Sequence, residues 1–298
     1  MAGESQVERF ESFARSSFFS IMLYVESFQF PSEDKGVYPY RLLYDMGLEH
    51  IDFAPITILY GNNGSGKSTI LNMIAERLDV RFRTLGNTNE YFSGCARKCT
   101  FPKGDDGIPE DSMMIRSEDI MHHIANIRKR NADIDNVVKG WLEKGIGKAR
   151  QGTLRGRAEI QEQFENVFEC GGDSFHNVMA SKLMEKTEEE SNGETAIAYF
   201  KDRLYADNLY LLDEPENSMA PAFQQDLANY ICLLAYRLNC QFIIASHSPF
   251  LLAMQGSRIY DLDHSPARQC EWFELENMKA YYQLFEKFSK KFQECQRY

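Results

Sequence analysis

Short apolar runs that end in glycine or in polar residues predict the strands of a buried sheet. The clearest are Ile56 to Tyr60 (ITILY), Leu209 to Leu212 (LYLL) and Gln241 to Ala245 (QFIIA). Unbroken apolar runs of this length are typical of strands that are covered on both faces, as in a parallel sheet. An aromatic-rich run from Phe18 to Phe30 predicts an earlier strand.

Helical periodicity follows two of these runs. The segment KSTILNMIAERLD, which comes after ITILY and a glycine-rich loop, places Ile70, Ile74 and Leu78 on one face. A second segment, PAFQQDLANYICLLAYRLN, lies between LYLL and QFIIA and opens with Pro221, a residue favoured at the first position of a helix. Strand, helix and strand at this spacing predict a parallel crossover.

The middle of the chain, from about Phe92 to Glu190, is charged and has helical periodicity in stretches. Ser117 followed by Glu118 and Asp119 is typical of a helix N-terminus. We find no internal repeat and no low-complexity linker. We therefore interpret residues 1–298 as a single domain, with a mostly helical lobe at about residues 92–190 inserted into an α/β core.

Composition narrows the classes of protein. With 298 residues, 43% of them hydrophobic, the chain can bury a full core, and its net charge of −11 disfavours wholesale wrapping by nucleic acid. Seven cysteines, an odd number, indicate a reducing compartment, and we interpret Cys95 and Cys99 as buried or idle thiols. No apolar leader or membrane-length apolar segment is found, so we expect a cytoplasmic protein without a membrane partner.

The strongest chemical signal is GNNGSGKS, Gly61 to Ser68, in which two glycines separated by four residues precede a lysine and a hydroxyl residue. Glycines let the backbone curl so that its amide hydrogens converge on phosphate groups. Lys67 is expected to bridge the terminal phosphates and Ser68 to ligate Mg²⁺. The residues expected to bind the nucleotide here are Gly61, Asn62, Asn63, Gly64, Ser65, Gly66, Lys67, Ser68 and Thr69.

Polar groups also follow the other two buried runs. LYLL ends in Asp213 and Glu214, and we expect Asp213 to hold Mg²⁺ through its water shell and Glu214 to polarise a water for attack on the γ-phosphorus. QFIIA ends before His247, which is placed to sense the terminal phosphate. Lys67, Glu214 and His247 are therefore the candidate catalytic residues.

These three segments resemble the Walker A, Walker B and switch-histidine segments of ABC-type ATPases. The phrases DEPEN and FIIASHSPFLL are especially similar to the SMC, RecF and OLD-like branch. The resemblance covers roughly residues 17–90 and 190–275. It implies an α/β P-loop NTPase fold, an ABC-type ATPase head with a mostly helical inserted lobe, and Mg²⁺-dependent ATP hydrolysis.

The resemblance also implies a signature loop before the second motif. SNGET begins at Ser191, which lies 22 residues before Asp213 and suits the family's spacing. CGGDS, at Cys170 to Ser174, lies too far upstream. We expect a helix to begin at Thr195 and to aim its amide hydrogens at phosphate. The residues expected to contact nucleotide from this loop are Ser191, Gly193 and Glu194.

In such families the signature loop serves the nucleotide held by the other subunit, so the resemblance implies a head-to-tail dimer with ATP at its interface. By analogy, the dimer would act as the switch subunit of a larger complex with an effector such as a nuclease, in anti-phage defence or DNA processing. Two alternatives stay open: a regulatory ATP-binding module with little turnover, and the ATPase subunit of a transporter.

Two further stretches carry unusual composition. Arg128 to Arg157 holds nine basic residues against three acidic ones, which fits either a solvated helical face or a contact with nucleic acid or an acidic partner. Near the C-terminus, we expect most of the aromatic residues to pack in the core, with a protein-docking face as the alternative. They are Trp272, Phe273, Tyr281, Tyr282, Phe285, Phe288 and Phe292.

Overall fold

The computed structural model describes residues 23–82, 89–102, 107–151 and 191–295, with the backbone alone at residues 135 and 137–151. Its strands are β1 (Ser27–Gln29), β2 (His50–Asp52), β3 (Ile56–Tyr60), β4 (Met113–Arg116), β5 (Leu209–Asp213), β6 (Gln241–Ala245), β7 (Arg258–Asp261) and β8 (Arg268–Cys270). Its helices are α1 (Tyr40–Met46), α2 (Lys67–Leu78), α3 (Phe92–Lys98), α4 (Ser117–Gln151), α5 (Asn192–Lys201), α6 (Pro221–Arg237), α7 (Pro249–Leu252), α8 (Glu276–Lys287) and α9 (Ser289–Cys295), and a 3₁₀ turn spans Trp272–Glu274.

The main sheet of the described residues has six strands in the order β4-β5-β6-β3-β7-β8. Neighbouring strands run parallel from β4 to β7, and β8 is antiparallel to β7. In this register Ala245 of β6 lies opposite Leu59 of β3 and Asp213 of β5. The central strands therefore end together at one edge of the sheet. β1 and β2 form a separate antiparallel pair.

The core is built on the central strands. Every residue of β3, β5 and β6 is buried, as their unbroken apolar runs predict. Helix α2 packs against β5 and β6 and buries Ile70, Ile74 and Leu78, the face that helical periodicity predicts. Helix α6 begins at Pro221, where the missing amide hydrogen costs no helical hydrogen bond. The strands and helices predicted around these runs are thus confirmed.

The chain divides into two compact units, one holding residues up to Ser117 and from Phe200 onward, the other Glu118–Tyr199. Helix α4 begins at Ser117 as predicted and has Glu118 and Asp119 in its first turn. The expected start of the inserted lobe, near residue 92, differs from this division. Residues 113–116 form β4, which pairs with β5 inside the main sheet, and the second unit begins only after them.

The prediction that the C-terminal aromatic residues pack in the core is wrong. In α8 only Met278 is buried, and the residues from Lys279 to Cys295 are all exposed. Phe273, Tyr282 and Phe285, for example, are each more than half exposed. The reason is that α8 contacts the core through its first turn only, so its later apolar residues have no described surface to cover.

The predicted strand from Phe18 to Phe30 is also shorter than expected, since β1 covers Ser27–Gln29 and residues 18–22 lie outside the described part of the chain. The chain just before β1 instead binds a side chain of the sheet. Gln241 Oε1 accepts hydrogen bonds from the amides of Tyr24 and Val25, at 2.9 and 3.1 Å, and Gln241 Nε2 donates to Val25 O at 2.7 Å. This fully buried glutamine thus satisfies three backbone groups of the chain before β1 with its side chain.

Replacing Gln241 by leucine should lower the free energy of unfolding by about 3 kcal/mol or more. The change leaves three buried backbone groups without their partners, and each such loss costs about 1–3 kcal/mol. Urea denaturation followed by circular dichroism measures the effect. Gln225→Leu, at an exposed position of α6, is the matched control and should stay within about 0.5 kcal/mol of the wild type. Equal stability of the two variants would contradict the assigned role of Gln241.

Candidate functional site

The residues of the three predicted motifs gather at the carboxyl edge of the main sheet. Strand β3 leads into the glycine-rich loop, β5 ends in Asp213, and β6 leads into the segment that carries His247. Because β6 pairs in parallel with both β3 and β5, these three segments leave the sheet side by side. The carboxyl edge of a parallel sheet is where ligands bind in folds of this class.

The loop between β3 and α2 is tightly curled. Gly64 and Gly66 have φ angles of +86° and +95°, in the left-handed region that favours glycine. At Gly61, an added Cβ atom would lie only 2.4 Å from Ser65 Oγ, so this position also excludes a side chain. The first amide hydrogens of α2 have no acceptor within the helix and lie where the loop ends. The loop can therefore present backbone donors to an anion.

Lys67, the first residue of α2, is the buried cation of the site. Its side chain is only 4% exposed, and Nζ donates to the carbonyl oxygens of Gly61 at 2.7 Å and Asn62 at 3.1 Å. Nζ also lies 3.7 Å from Glu214 Oε1. A buried ammonium needs such partners because its desolvation is costly. The lysine thus links the glycine-rich loop to the end of β5.

Two segments distant in the sequence hold the outside of this loop. The amide of Asn62 donates to both carboxylate oxygens of Asp263, at 2.9 and 3.0 Å, on the segment that follows β7. On the other side, a Cβ atom added at Gly66 would lie 2.9 Å from both Leu42 Cδ2 and Met46 Cε of α1. The loop is therefore packed and hydrogen-bonded from outside as well as curled by its own glycines.

The end of β5 supplies two carboxylates with different surroundings. Asp213 is 8% exposed, and its Oδ1 accepts a hydrogen bond from Ser68 Oγ at 3.0 Å. Glu214 has a φ of +48°, a left-handed conformation, and its amide donates to Ala245 O at 2.9 Å. Glu214 Oε2 accepts from Asn217 Nδ2 at 2.9 Å. The two acids therefore point to different partners.

His247 combines a fixed backbone with an exposed ring. Its amide donates to Glu216 Oε1 at 3.0 Å, and the same oxygen accepts from Ser246 Oγ at 2.6 Å and from the amide of Ser248 at 3.2 Å. The side chain of His247 is 45% exposed, and its Nδ1 lies 3.8 Å from Glu216 Oε1, beyond hydrogen-bond distance. The imidazole is therefore available to a ligand.

The predicted signature loop forms the start of α5 in the second compact unit. Ser191 Oγ and the Ser191 amide both donate to Glu194 Oε2, at 2.7 and 2.8 Å, and the Glu194 amide donates back to Ser191 Oγ at 3.3 Å. This is a capping box, and the hydrogen bonds from Ser191 lower the pKa of Glu194. The helix starts at Asn192, three residues before the predicted start at Thr195, because Ser191 Oγ caps it by accepting from the Glu194 amide.

The two closely spaced cysteines, Cys95 and Cys99, are buried as predicted. Burial raises the pKa of the Cys95 thiol to about 11 and that of the Cys99 thiol to about 12, so both are protonated at neutral pH. Within the described residues, no group of three or more His, Cys, Asp or Glu side chains is arranged to hold a metal ion. The two thiols act as small core side chains.

A protein-family model described as AAA domain matches residues 40–297, which include the glycine-rich loop and the ends of β5 and β6. The chain belongs to the AAA domain family. The predicted α/β P-loop fold, with a parallel sheet and a glycine-rich loop between a strand and a helix, is thereby confirmed for this AAA domain protein. A comparison with curated proteins finds no match.

Solved structures similar to this AAA domain protein include two SMC head domains and an ATP-binding cassette. The SMC head domain from Thermotoga maritima has 10% identity and a TM-score of 0.40, over 84% of this chain and 99% of that one. The Pyrococcus furiosus Smc head domain, bound to the C-terminal domain of ScpA, has 13% identity and a TM-score of 0.38, over 88% and 99%. An ATP-binding cassette dimer bound to ADP and Pi has 13% identity and a TM-score of 0.34, over 80% and 92%.

The structure brings most of the predicted site residues together and adds others. Asn63 is exposed, and Thr69 Oγ1 lies 3.0 Å from the Tyr38 hydroxyl. Gly193 is buried in α5. Sequence reasoning gave no role to Glu216 or Asn217, although DEPEN contains both. It also missed two residues outside any motif: Asp263 and Gln224.

Two predicted segments lie wholly or partly outside the described residues. CGGDS lies outside the described residues. In the basic stretch, Arg128, Lys129 and Arg130 are exposed, and Arg128 donates to Asn192 Oδ1 at 2.5 Å. Its other basic side chains lie outside the described part. Among the described residues, no helix combines the length and apolarity that a membrane crossing needs.

Alanine at Gly66 should destabilise the protein more than alanine at Gly64. Both positions have left-handed backbone, which costs a residue with a Cβ atom about 1–2 kcal/mol. Only Gly66 faces the ends of Leu42 and Met46, so overpacking there should add about 1 kcal/mol, whereas Gly64 has open space around it. Urea unfolding of the two variants measures the difference. Equal losses would mean that α1 does not press on the loop.

Proposed function

We propose that this AAA domain protein binds ATP with Mg²⁺ at the glycine-rich loop and hydrolyses it, with Glu214 as the general base. The observation that carries the proposal is the convergence of a buried lysine and two carboxylates at one edge of the sheet. Lys67 Nζ lies 3.7 Å from Glu214 Oε1, and Ser68 is hydrogen-bonded to Asp213. These groups come from β5 and from the start of α2.

Phosphate binding is supported by the shape and charge of the loop. Its glycines hold a curl that only residues without side chains adopt easily, and the N-terminus of α2 points its free amides and positive dipole end toward the same place. Lys67 would exchange its two carbonyl partners for phosphate oxygens, which are stronger, charged acceptors.

The chemistry of the donor set fits magnesium. Ser68 offers a hydroxyl oxygen and Asp213 a carboxylate oxygen, hard ligands of the type that Mg²⁺ takes, and they lie 3.0 Å apart. When bound, Mg²⁺ would neutralise negative charge on the phosphate oxygens. Ser68 and Asp213 would then hold the ion in place of their mutual hydrogen bond.

Glu214 is the residue that we assign to proton transfer. Its Oε2 is held by Asn217, and its left-handed backbone turns the side chain away from that of Asp213 and toward Lys67. A carboxylate held in this way can orient a water molecule and accept its proton. His247, with its exposed imidazole, would contact the terminal phosphate as a sensor.

Pairing is proposed from the signature loop. Ser191 is exposed and sits at the capped N-terminus of α5, where the free amides of the helix favour an anion. In a head-to-tail dimer, Ser191, Gly193 and Glu194 of one copy would face the nucleotide of the other copy. ATP would then hold the two copies together, and hydrolysis would release them.

The support for a wider role is the sequence resemblance alone. An ATP-dependent dimer would suit a switch subunit that controls an effector such as a nuclease, in anti-phage defence or DNA processing, within the cytoplasm. A contact of the Arg128 to Arg157 stretch with nucleic acid belongs to the same hypothesis, and Arg128, Lys129 and Arg130 are exposed as it requires.

Glu214→Gln should lower kcat for ATP hydrolysis by about 10²–10⁴-fold and leave ATP binding intact. The amide keeps the shape of the side chain and an acceptor for Asn217 but cannot take a proton, and general base catalysis is worth about that factor. Phosphate release measures turnover, and calorimetric titration measures binding. The control is Asp226→Asn, at an exposed acid of α6. Equal turnover by Glu214→Gln and wild type would favour the regulatory module with little turnover.

Lys67→Ala should weaken ATP binding by about 10- to 100-fold, the loss expected for hydrogen bonds to a charged group. The same titration checks this. Unchanged affinity would refute the assignment of the glycine-rich loop as the phosphate site.

Ser191→Arg should abolish the ATP-dependent dimer and leave each subunit's own affinity for ATP unchanged. The arginine side chain is much larger than that of serine and would fill the space that the nucleotide of the other copy needs. Light scattering with Glu214→Gln in the background, to prevent turnover, measures the dimer. Ser191→Ala is the control, because it loses the same cap, worth about 1 kcal/mol, without added bulk. A dimer that survives Ser191→Arg would remove SNGET from the interface.

A further inference from the structure

Glu216, the second glutamate of DEPEN, is a buried carboxylate to which the proposed function assigns no contact with nucleotide or Mg²⁺. It is 4% exposed, and its Oε1 accepts hydrogen bonds from Ser246 Oγ and from the amides of His247 and Ser248. Its Oε2 is buried and has no hydrogen-bond partner among the described residues. All the bonds of this carboxylate are thus concentrated on the three-residue segment Ser246 to Ser248.

A second connection closes the network. Ser248 Oγ donates to Gln224 Oε1 at 2.7 Å, and Gln224 Nε2 donates to Met219 O at 2.9 Å. Met219 belongs to the same turn as Glu216, since its amide donates to Glu216 O at 3.0 Å. The segment that follows β6 is therefore attached at both Glu216 and Ser248 to the turn that follows β5.

This turn also carries the proposed general base. Glu214 lies two residues before Glu216, and its carboxylate is held by Asn217 of the same turn. One short turn thus fixes Glu214 through Asn217 and fixes the backbone of His247 through Glu216. The imidazole of His247 itself makes no hydrogen bond to Glu216 and remains 45% exposed.

We propose that Glu216 is a positioning residue that holds the His247 segment in a fixed place relative to Glu214. Its negative charge gathers one hydroxyl and two amide hydrogens, and these bonds set the direction in which the imidazole leaves the chain. The proposal rests on the proposed function only for its effect on turnover. Its structural part holds for the protein without nucleotide.

The structural part is tested by hydrogen exchange on the nucleotide-free protein. In Glu216→Ala, exchange of the His247 amide should accelerate by about 10- to 100-fold, the loss expected for a bond to a charged acceptor, while the amides of β5 and β6 keep their protection. The Ser248 amide should accelerate less, because it keeps Ser246 Oγ as a second acceptor at 3.0 Å. Glu216→Gln retains an acceptor oxygen and should keep most of the protection. Unchanged exchange in Glu216→Ala would overturn the proposal.

A variant that keeps the carboxylate covers the case in which Glu216→Ala does not fold. Ser246→Ala removes the shortest bond to Glu216 Oε1, and it also removes the acceptor of a second bond from the Ser248 amide, to Ser246 Oγ at 3.0 Å. The His247 amide, whose acceptor Glu216 Oε1 remains, is therefore the readout, and it should exchange faster than in wild type but slower than after loss of that acceptor. A wild-type exchange rate of the His247 amide in Ser246→Ala would also count against the anchoring role.

The functional part is tested by a double-mutant cycle between Glu216 and His247, with kcat for ATP hydrolysis as the measured quantity. Glu216→Ala should lower kcat for ATP about 10-fold or more with the dissociation constant of ATP unchanged, and Glu216→Gln should restore most of the rate. Added to His247→Ala, Glu216→Ala should cause no further loss, because it acts through that residue. Multiplicative losses would overturn the proposal. A wild type without ATP turnover would instead refute the proposed function and leave the exchange result standing.

Discussion

The parallel pairing of β6 with β3 on one side and with β5 on the other is the interaction on which the whole site depends. Side chains alternate between the faces of a strand, so a slip of one residue would send Asp213 to the opposite face and away from Ser68. All three strands are buried along their whole length and covered on both faces, and this apolar packing stabilises the pairing. The chemistry at the edge is therefore set by apolar packing within the sheet.

The polar groups at that edge are stable because each buried charge has hydrogen-bond partners. Lys67 has two carbonyl groups, Asp213 has the Ser68 hydroxyl, and Glu216 has a hydroxyl and two amides. A buried charge without such partners would cost several kcal/mol. The partners lie on loops and at the start of α2 rather than in the strands, so the interactions that stabilise Lys67 and Glu216 also determine the shapes of the loops.

The central strands and the helices around them could be predicted from the sequence because their signals are local. ITILY and QFIIA are short runs made mostly of apolar residues, and α2 and α6 repeat apolar residues at helical spacing. The four residues of β4 could not be recognised, since MMIR is too short to show a period. The burial of the C-terminal aromatic residues could not be predicted correctly, because the composition of a segment shows how apolar it is but not whether its helix packs against the core.

Contacts between distant parts of the chain could not be predicted from the sequence either. Asp263 binds Asn62, and Gln224 binds Ser248, across separations that no local pattern encodes. The motifs named the groups that would meet a ligand, whereas the residues that hold those groups in place are ordinary polar side chains. Only the folded chain shows which of them lie close enough to bond.

Asp263 binds the glycine-rich loop on one side, and α1 packs against it on the other. Both contacts form within the folded protein and need no ligand. The conformational entropy of the loop is therefore lost when the chain folds, and less remains to be lost when an anion arrives. Affinity at this place is consequently governed in part by residues that never approach the anion. The fold of the segment after β7 is, in this sense, a determinant of how tightly the loop can hold a ligand.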